Sequence, residues 1–551
     1  MRGLTSRPRA RFALAAAATA AALTLAGCTA SGSGPAPSSP AASDGGDTTG
    51  GEAARGGTLT VANSFVIKNL DPAQVYEATG MTAVRGMYET LTTFEGSDVT
   101  TPLPLVAEDW TVNEDATEFT FTIREGITFS DGSELTTDDV VFSLNRLINI
   151  KSSGSVIVDG LSVSSPEEGV VVVTSEIPNP SVPTILAMPQ AAIVNADVAR
   201  ENGATDAEDA AEKDTAVTFF DSTSIGSGPY VLESFDPASE VVLVANENWW
   251  GGTPFYDRVV IQNVEAQNQK MSVERAPGDY VALDIAGRML DDLKEGLQVS
   301  ANQDTFYFLT LHQDPEVSEV TSNIEFVRAL RAALDYEGIA ALFGSDARPA
   351  AGMVPTAFAG TLPESEAKKQ DLAKAAEHLA ASGLTDPKVS LMFPAITYKG
   401  VDLATIATKV QNDAAQAGIT VELDPQPIAA FLDAQSAGKV PFRFSPQSLN
   451  YPVASSLVNN FHPGQPSALR TGWTLENATK AAVEAGERVM AATEAAELEA
   501  AMQDWQRVLE EDGPYIPLAY NSGVVVATPD LVNADYSPAG WQIDLRAVAR
   551  R

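Results

Sequence analysis

Hydrophobic and polar residues alternate most cleanly between Thr117 and Ile123. Phe119, Phe121 and Ile123 fall on one side, and Glu118, Thr120 and Thr122 on the other. A period of two predicts a half-buried strand. Glu125-Gly126 turns the chain into a second short strand at 127–129, and Ser130-Asp131-Gly132-Ser133 reads as a tight turn. The period then lengthens to that of a helix. Thr136 or Thr137 caps it, and Asp138 and Asp139 stand in its first turn, where carboxylates favour the positive end of the dipole. Val140, Val141, Leu144, Leu147 and Ile148 form its apolar face. The same two periods recur along the chain. Strands are predicted at 57–62, 169–173, 241–246, 259–264, 305–309, 389–393, 419–423 and 524–527. Helices are predicted through 81–91, 323–334, 373–382, 403–417 and most of 476–511. Their alternation after residue 323 makes an α/β lobe. A chain of 551 residues is too long for one core and requires two or three lobes.

Three strings resemble a known family. The first is Trp110, then Phe121-x-Ile123-Arg124-x-Gly126-Ile127-x-Phe129-x-Asp131-Gly132, then Leu135-Thr136-x-Asp138-Asp139-Val140-Val141-Phe142-Ser143. The second is Gly226-Ser227-Gly228-Pro229-Tyr230, followed by Asn246-x-x-Trp249-Trp250-Gly251-Gly252. The third is the looser Val327-Arg328-x-Leu330 to Asp335 helix. Together they resemble the family 5 extracellular solute-binding proteins, the ligand receptors of peptide, nickel and related ABC importers. The resemblance implies an α/β, two-lobed periplasmic-binding-protein-like fold of type II, with an inserted subdomain and a hinge crossed twice. Lobe I is then 57–95, 216–304 and 519–551, with 96–215 the inserted subdomain and 305–518 lobe II. Ligand capture closes the lobes on each other, because contacts to both exist only when closed.

Charge and cysteine narrow the setting. A net charge of −38 argues against nucleic acid and anionic lipid as partners. There is a single cysteine, so no internal disulfide forms. The three histidines, His312, His378 and His462, lie too far apart for a metal cluster, and neither a metal nor another cofactor is expected. Residues 1–27 read as a signal peptide: Arg2, Arg7, Arg9 and Arg11 precede an alanine-rich apolar stretch at 12–25. Leu25-Ala26-Gly27-Cys28 resembles a bacterial lipobox, which implies a diacylated Cys28 on the outer side of the cell membrane. Residues 28–56 form a Gly, Ser and Pro-rich linker that reaches ~30 Å on average. The partners implied are a small solute or peptide and the permease and ATPase subunits of an importer, with the binding protein a monomer.

The resemblance also locates a site. The end of the first strand, at Ser64 and Phe65, meets the cleft. In oligopeptide-binding members the second lobe carries Trp-x-Ala-Asp-Tyr-x-x-Pro, whose aspartate pairs with the peptide's ammonium. Here the run is Phe444-Ser445-Pro446-Gln447-Ser448-Leu449-Asn450-Tyr451-Pro452, with Asn450 in place of the aspartate. An amide accepts a hydrogen bond from an ammonium but does not neutralise it. Expected ligand contacts are therefore Ser64, Phe65, Arg443, Phe444, Gln447, Asn450, Tyr451 and Trp473. Arg443 is a candidate for an anionic group and Trp473 for stacking. No nucleophile elbow, zinc motif or Cys–His pair occurs, so no enzymatic reaction is expected. The alternatives are a surface sensor or adhesion lipoprotein that binds without transport, or a hydrolase on the same scaffold.

Overall fold

Residues 55–551 are described by the structure, a computed structural model. The signal segment, Cys28 and residues 28–54 of the linker lie outside the described residues. Thr58–Asn63 (β1) begins the fold. Ala107–Val112 (β2), Glu118–Ile123 (β3), Leu161–Glu167 (β4) and Val170–Ser175 (β5) make a separate antiparallel sheet in the order β2-β3-β5-β4. It lies inside the segment expected to be an insertion. Tyr230–Asp236 (β6), Glu240–Ala245 (β7), Arg258–Asn263 (β8), Tyr280–Ala282 (β9) and Gln298–Leu311 (β10) belong to a large mixed sheet. So do Lys388–Pro394 (β11), Thr420–Gln426 (β12), Phe442–Ser448 (β13) and Tyr515–Ala527 (β14). With β1 they run in the order β12-β11-β13-β10-β14-β9-β1-β8-β7-β6.

The two long strands join the halves of this sheet. Near residue 300, β10 pairs with the end of β14 next to β9; near residue 309 it lies between β13 and the start of β14. Side-chain alternation divides the core accordingly. Tyr307, Leu309 and Leu311 join Phe442, Phe444 and Leu330 in one cluster, whereas Phe306 and Phe308 face the other way, toward Phe461 and Tyr515. The crossing itself is irregular. Gln303 pairs with Ser522 and Thr305 with Asn521, which leaves Asp304 as a bulge. Three pairs later Tyr307 faces Ala519 and Phe308 faces Pro517, which leaves Leu518 as the surplus residue on the partner strand.

Of the local signals of the opening stretch the strand at 118–123 and the capped helix are realised, whereas the strand expected at 127–129 is only an isolated bridge from Thr128 to Glu134. Thr136 is the cap of the helix Thr137–Ile150: its side chain accepts from Asp139 N, and Asp139 Oδ2 accepts from Thr136 N at 2.8 Å. The two parts of the second string meet at one buried carboxylate. Glu89 accepts from Trp250 Nε1 at 2.5 Å, Ser227 Oγ at 2.9 Å and Trp249 Nε1 at 3.3 Å. Burial pushes Glu89 above the ordinary range against these three donors. Gly226 and Gly228 lie here because a Cβ would fall 2.3 Å from Met87 O and 2.6 Å from Met87 C. Through Met87 and Glu89 the second string packs onto the end of the helix Ala78–Met87 and the segment after it.

Two buried charge clusters fasten distant segments. Arg146 forks onto Asp71 at 2.6 and 2.7 Å and onto Asp214 at 2.7 and 3.1 Å. The acidic, alanine-rich run before residue 215 carries no local sign of burial, yet the Asp214 side chain is buried on Arg146. In the second cluster Asp544 lies between Arg85 at 3.0 Å and Arg546 at 2.7 Å, with Arg85 stacked 3.9 Å over Trp541. Burial opposes the charge of Asp544, but Arg546 and Arg85 outweigh it and hold the carboxyl well below its usual range. A lowered folded pKa means stability that is present above the unfolded value of about 3.9 and is lost as pH falls toward the folded one. Asp544→Asn is therefore expected to cost about 3 kcal/mol at neutral pH. The difference in Tm from the wild type should stay constant between about pH 7 and 5 and narrow below about pH 4. A difference that ignores pH throughout would contradict a charge-based role.

Candidate functional site

The ends of β1, β9 and β13 and the middle of β10 converge on one region. At the end of β1 the Asn63 amide donates to Thr79 Oγ1 at 2.6 Å and to Gln542 Oε1 at 2.8 Å, which fixes the strand's exit. Ser64 follows, exposed, with its N–H donating to Asp284 Oδ2. Asp284 stands just past β9 and also accepts from Gln269 Nε2 at 3.0 Å. Burial raises its pKa against these donors. Phe65 is pinned by Asn263, which accepts from its N–H at 3.1 Å and donates to its carbonyl at 3.0 Å. The Phe65 ring is in the core, so only its backbone is near the cleft. The next residue, Val66, is the exposed one.

From the other half of the sheet two segments face this region. The first is the hairpin Thr397–Tyr398 and Val401–Asp402, turned by Lys399 at φ 44° and Gly400 at φ 77°. A Cβ on Gly400 would lie 3.1 Å from Ala286 Cβ, so the hairpin tip abuts the loop after Asp284. Lys399 Nζ donates to the bulged Asp304, which also accepts from Tyr536 OH at 2.6 Å. The second segment follows β13. Ser448 bonds to Thr305 at 2.8 Å, Gln447 Nε2 donates to Ser448 O at 2.7 Å, and Asn450 Oδ1 accepts from Tyr76 OH at 3.3 Å. Tyr76 to Asn450 is a direct bridge between the two sides. Beyond it a cleft of about 380 Å³ continues between 156–185 and 450–498. Asn450, Tyr451, Asn459, Asn460, Gln465 and Glu176 give it a polar wall, and no Lys, Arg or His lines it.

Of the expected contacts, Ser64, Gln447, Asn450 and Tyr451 fall in this region. Three others do not. Trp473 is 2 % exposed and packs edge-on to Tyr515 with centroids 5.8 Å apart, so it is a core residue and offers no stacking face. Phe444 is fully buried beside Tyr307, because its strand parity points it into the second core. Arg443 pairs in register with Thr310, five residues and ~17 Å along β13 from Ser448. It too is buried, on a face covered by the chain around Phe461 and Trp473, and does not reach the cleft. Tyr76, Asp284, Asp304 and Lys399 were missed. Asp304 had a signal, as a lone acid before the aromatic run 305–309; Tyr76 had none. Among the described residues no group of three or more His, Cys, Asp or Glu is placed to hold a metal.

Comparison with known proteins agrees with this architecture. The profile described as "Bacterial extracellular solute-binding proteins, family 5 Middle" matches residues 101–468. The chain is 27% identical to the "Probable D,D-dipeptide-binding periplasmic protein DdpA" of Escherichia coli, over 49% of this chain and about half (52%) of that protein. It is 24% identical to the "Dipeptide-binding protein DppE" of Bacillus subtilis, over 81% of this chain and 83% of that one. A solved structure, the periplasmic binding protein DppA of Helicobacter pylori in complex with the peptide STSA, superposes with a TM-score of 0.71 at 19% identity. It covers 90% of this chain and 98% of that one.

Proposed function

The chain belongs to the bacterial extracellular solute-binding proteins, family 5, and from that premise we propose that it is the capturing receptor of an ABC importer. It takes a peptide or peptide-sized solute between the two halves of its large sheet and delivers it to a membrane permease. The observation that carries the reading is the bridge from Tyr76 to Asn450, with Ser64 and Asp284 on one side and Gln447 and Tyr451 on the other. Ligand contacts from both sides favour closure, and closure is what a transporter reads. Lobe I is 57–95, 216–304 and 519–551, carrying the insertion 96–215, and lobe II is 305–518. The hinge lies where β10 and β14 cross between them. Cys28 carries the lipid that holds the receptor at the outer face of the cell membrane, with 28–56 as its tether.

The site's chemistry supports a ligand class. Asn450 offers an amide where a peptide's ammonium would need a carboxylate, and the adjoining cleft is lined by amides and hydroxyls, by the carboxylates Asp159 and Glu176 and by apolar side chains such as Ile177 and Met490, without a basic residue. This suits a solute without a free anionic group, such as a blocked or cyclic peptide, because no basic residue is there to pair with one. Native mass spectrometry of the purified protein should detect a co-purified mass of a few hundred daltons that dissociates on denaturation. If the purified protein carries no ligand and a panel of peptides and neutral metabolites leaves its Tm unchanged, the receptor reading fails.

A further inference from the structure

The end of β13 far from Asn450 carries a charge for which the fold provides no partner. Arg443 is 2 % exposed, and its Nε has no hydrogen-bond partner. The charged groups that act on it are Tyr515 and Arg470, with no acid among them, and burial pushes the guanidinium down to about 10. Its neighbours repeat the pattern. Thr310 faces Arg443 across β13 and faces Tyr515 across β14, so the three form one row on one face of the sheet. The hydroxyls of Thr310 and of Ser445, two residues along from Arg443, are also buried without partners. Tyr515 OH lies beside Thr471, whose hydroxyl donates to Ala468 O at 2.7 Å and keeps a lone pair for the phenol. His312, also near Arg443, adds no anion: its Nδ1 accepts from Asp314 N at 3.1 Å and its Nε2 donates to Gly438 O at 3.1 Å, so the ring is neutral.

A buried guanidinium Nε with the partnerless hydroxyls of Thr310 and Ser445 on one sheet face is not a packing arrangement that stands by itself. Buried polar groups are almost always satisfied, and a buried cation without its counter-charge is costly. Adjacent positions on one sheet face lie ~5 Å apart, so the short Thr310 between two long side chains leaves a notch. Phe461 and Trp473 pack edge-on against Tyr515 at 5.2 and 5.8 Å and roof that side. We infer that this row holds a resident monovalent anion of halide size, chloride in the living cell, accepted by the Arg443 guanidinium and the hydroxyl of Thr310. One short side chain between two long ones favours a monatomic anion over phosphate or sulfate. Its distance from Ser448 along the strand separates it from the solute cleft.

The test uses the purified protein at constant ionic strength, with chloride replaced stepwise by the bulky anion gluconate. Tm should rise with chloride along a saturating curve, as for a ligand that binds only the folded state. Weak, non-saturating anion effects are disfavoured in a protein of net charge −38. Arg443→Met should lose the chloride-dependent rise and melt at or above the wild type in gluconate, where the wild type buries an unpaired cation. Thr310→Val, which replaces only a hydroxyl, should shift the half-saturating chloride concentration upward several-fold and serves if Arg443→Met does not fold. Crystals soaked in bromide should show an anomalous peak beside the guanidinium. A Tm that follows ionic strength alone, a chloride response that survives in both variants, or a bromide-free notch would each overturn the assignment.

Discussion

Arg146→Met is expected to lower the stability of the fold by about 3–5 kcal/mol, the usual cost of removing one partner from a buried ion pair. The guanidinium is 1 % exposed and is the only cation bonded to two buried carboxylates among the described residues of that cluster. Asp71 shapes the turn at 70–74, accepting from Ala73 N at 3.1 Å and Gln74 Nε2 at 3.0 Å. Asp214 accepts from Thr205 N at 3.0 Å and Ala216 N at 3.1 Å. Methionine fills much of the arginine's volume but leaves both acids buried and unneutralised. Burial opposes the charge of Asp214; Arg146 and the two amides now outweigh it and hold its pKa below the ordinary range. Without Arg146 that balance reverses, and a raised folded pKa makes the variant gain stability as pH falls. Urea denaturation at pH 7 and pH 4 checks both parts: a large loss at pH 7, and a smaller one at pH 4. An equal loss at both values would mean that packing, not charge, is what Arg146 supplies.

Asn450→Asp is expected to convert the site toward free-amino peptides. If the amide is what leaves a peptide's ammonium unneutralised, a carboxylate there recovers the 2–5 kcal/mol that an unpaired buried charge typically costs, roughly 30- to several-thousand-fold in affinity. Tyr76 OH already donates to Asn450 Oδ1 and would donate equally to an aspartate, so the bridge across the cleft survives the change. Isothermal titration with dipeptides and with their N-acetylated forms separates the outcomes. Improvement confined to the free-amino series supports the account. Unchanged or weaker binding across both series would refute it.

Much of the fold was legible in the sequence because its signals are local. The alternation at 117–123 and the reciprocal cap of Thr136 and Asp139 each involve residues a few positions apart, and the structure shows both. The site was legible only in part. Arg443 and Phe444 were both expected to meet ligand although strand parity puts them on opposite faces, and parity does not say which face of a sheet is open. That depended on the chain around Phe461 and Trp473 folding back over β13. Asp214 looked like one more surface acid because its partner is 68 residues earlier on another helix. Lys399 and Asp304, 95 residues apart, meet only once the hairpin has closed against the crossing. What could not be read was long-range pairing of single polar residues, which leaves no periodic trace.

The two surplus residues at the crossing, Asp304 on β10 and Leu518 on β14, cancel each other: the register lost at the first is regained three pairs later at the second. A strand slipped by one residue turns every following side chain to the opposite face. The two crossings are thus matched in length, and an insertion or deletion in one of them would propagate as a frameshift in three dimensions. It would carry Tyr307, Leu309 and Leu311 out of one core and Phe306 and Phe308 out of the other. A compensating change of one residue in the opposite strand restores the reading. Chimeras that exchange lobes between relatives must therefore take both crossing strands from the same parent, even when every cut point lies in an otherwise tolerant loop.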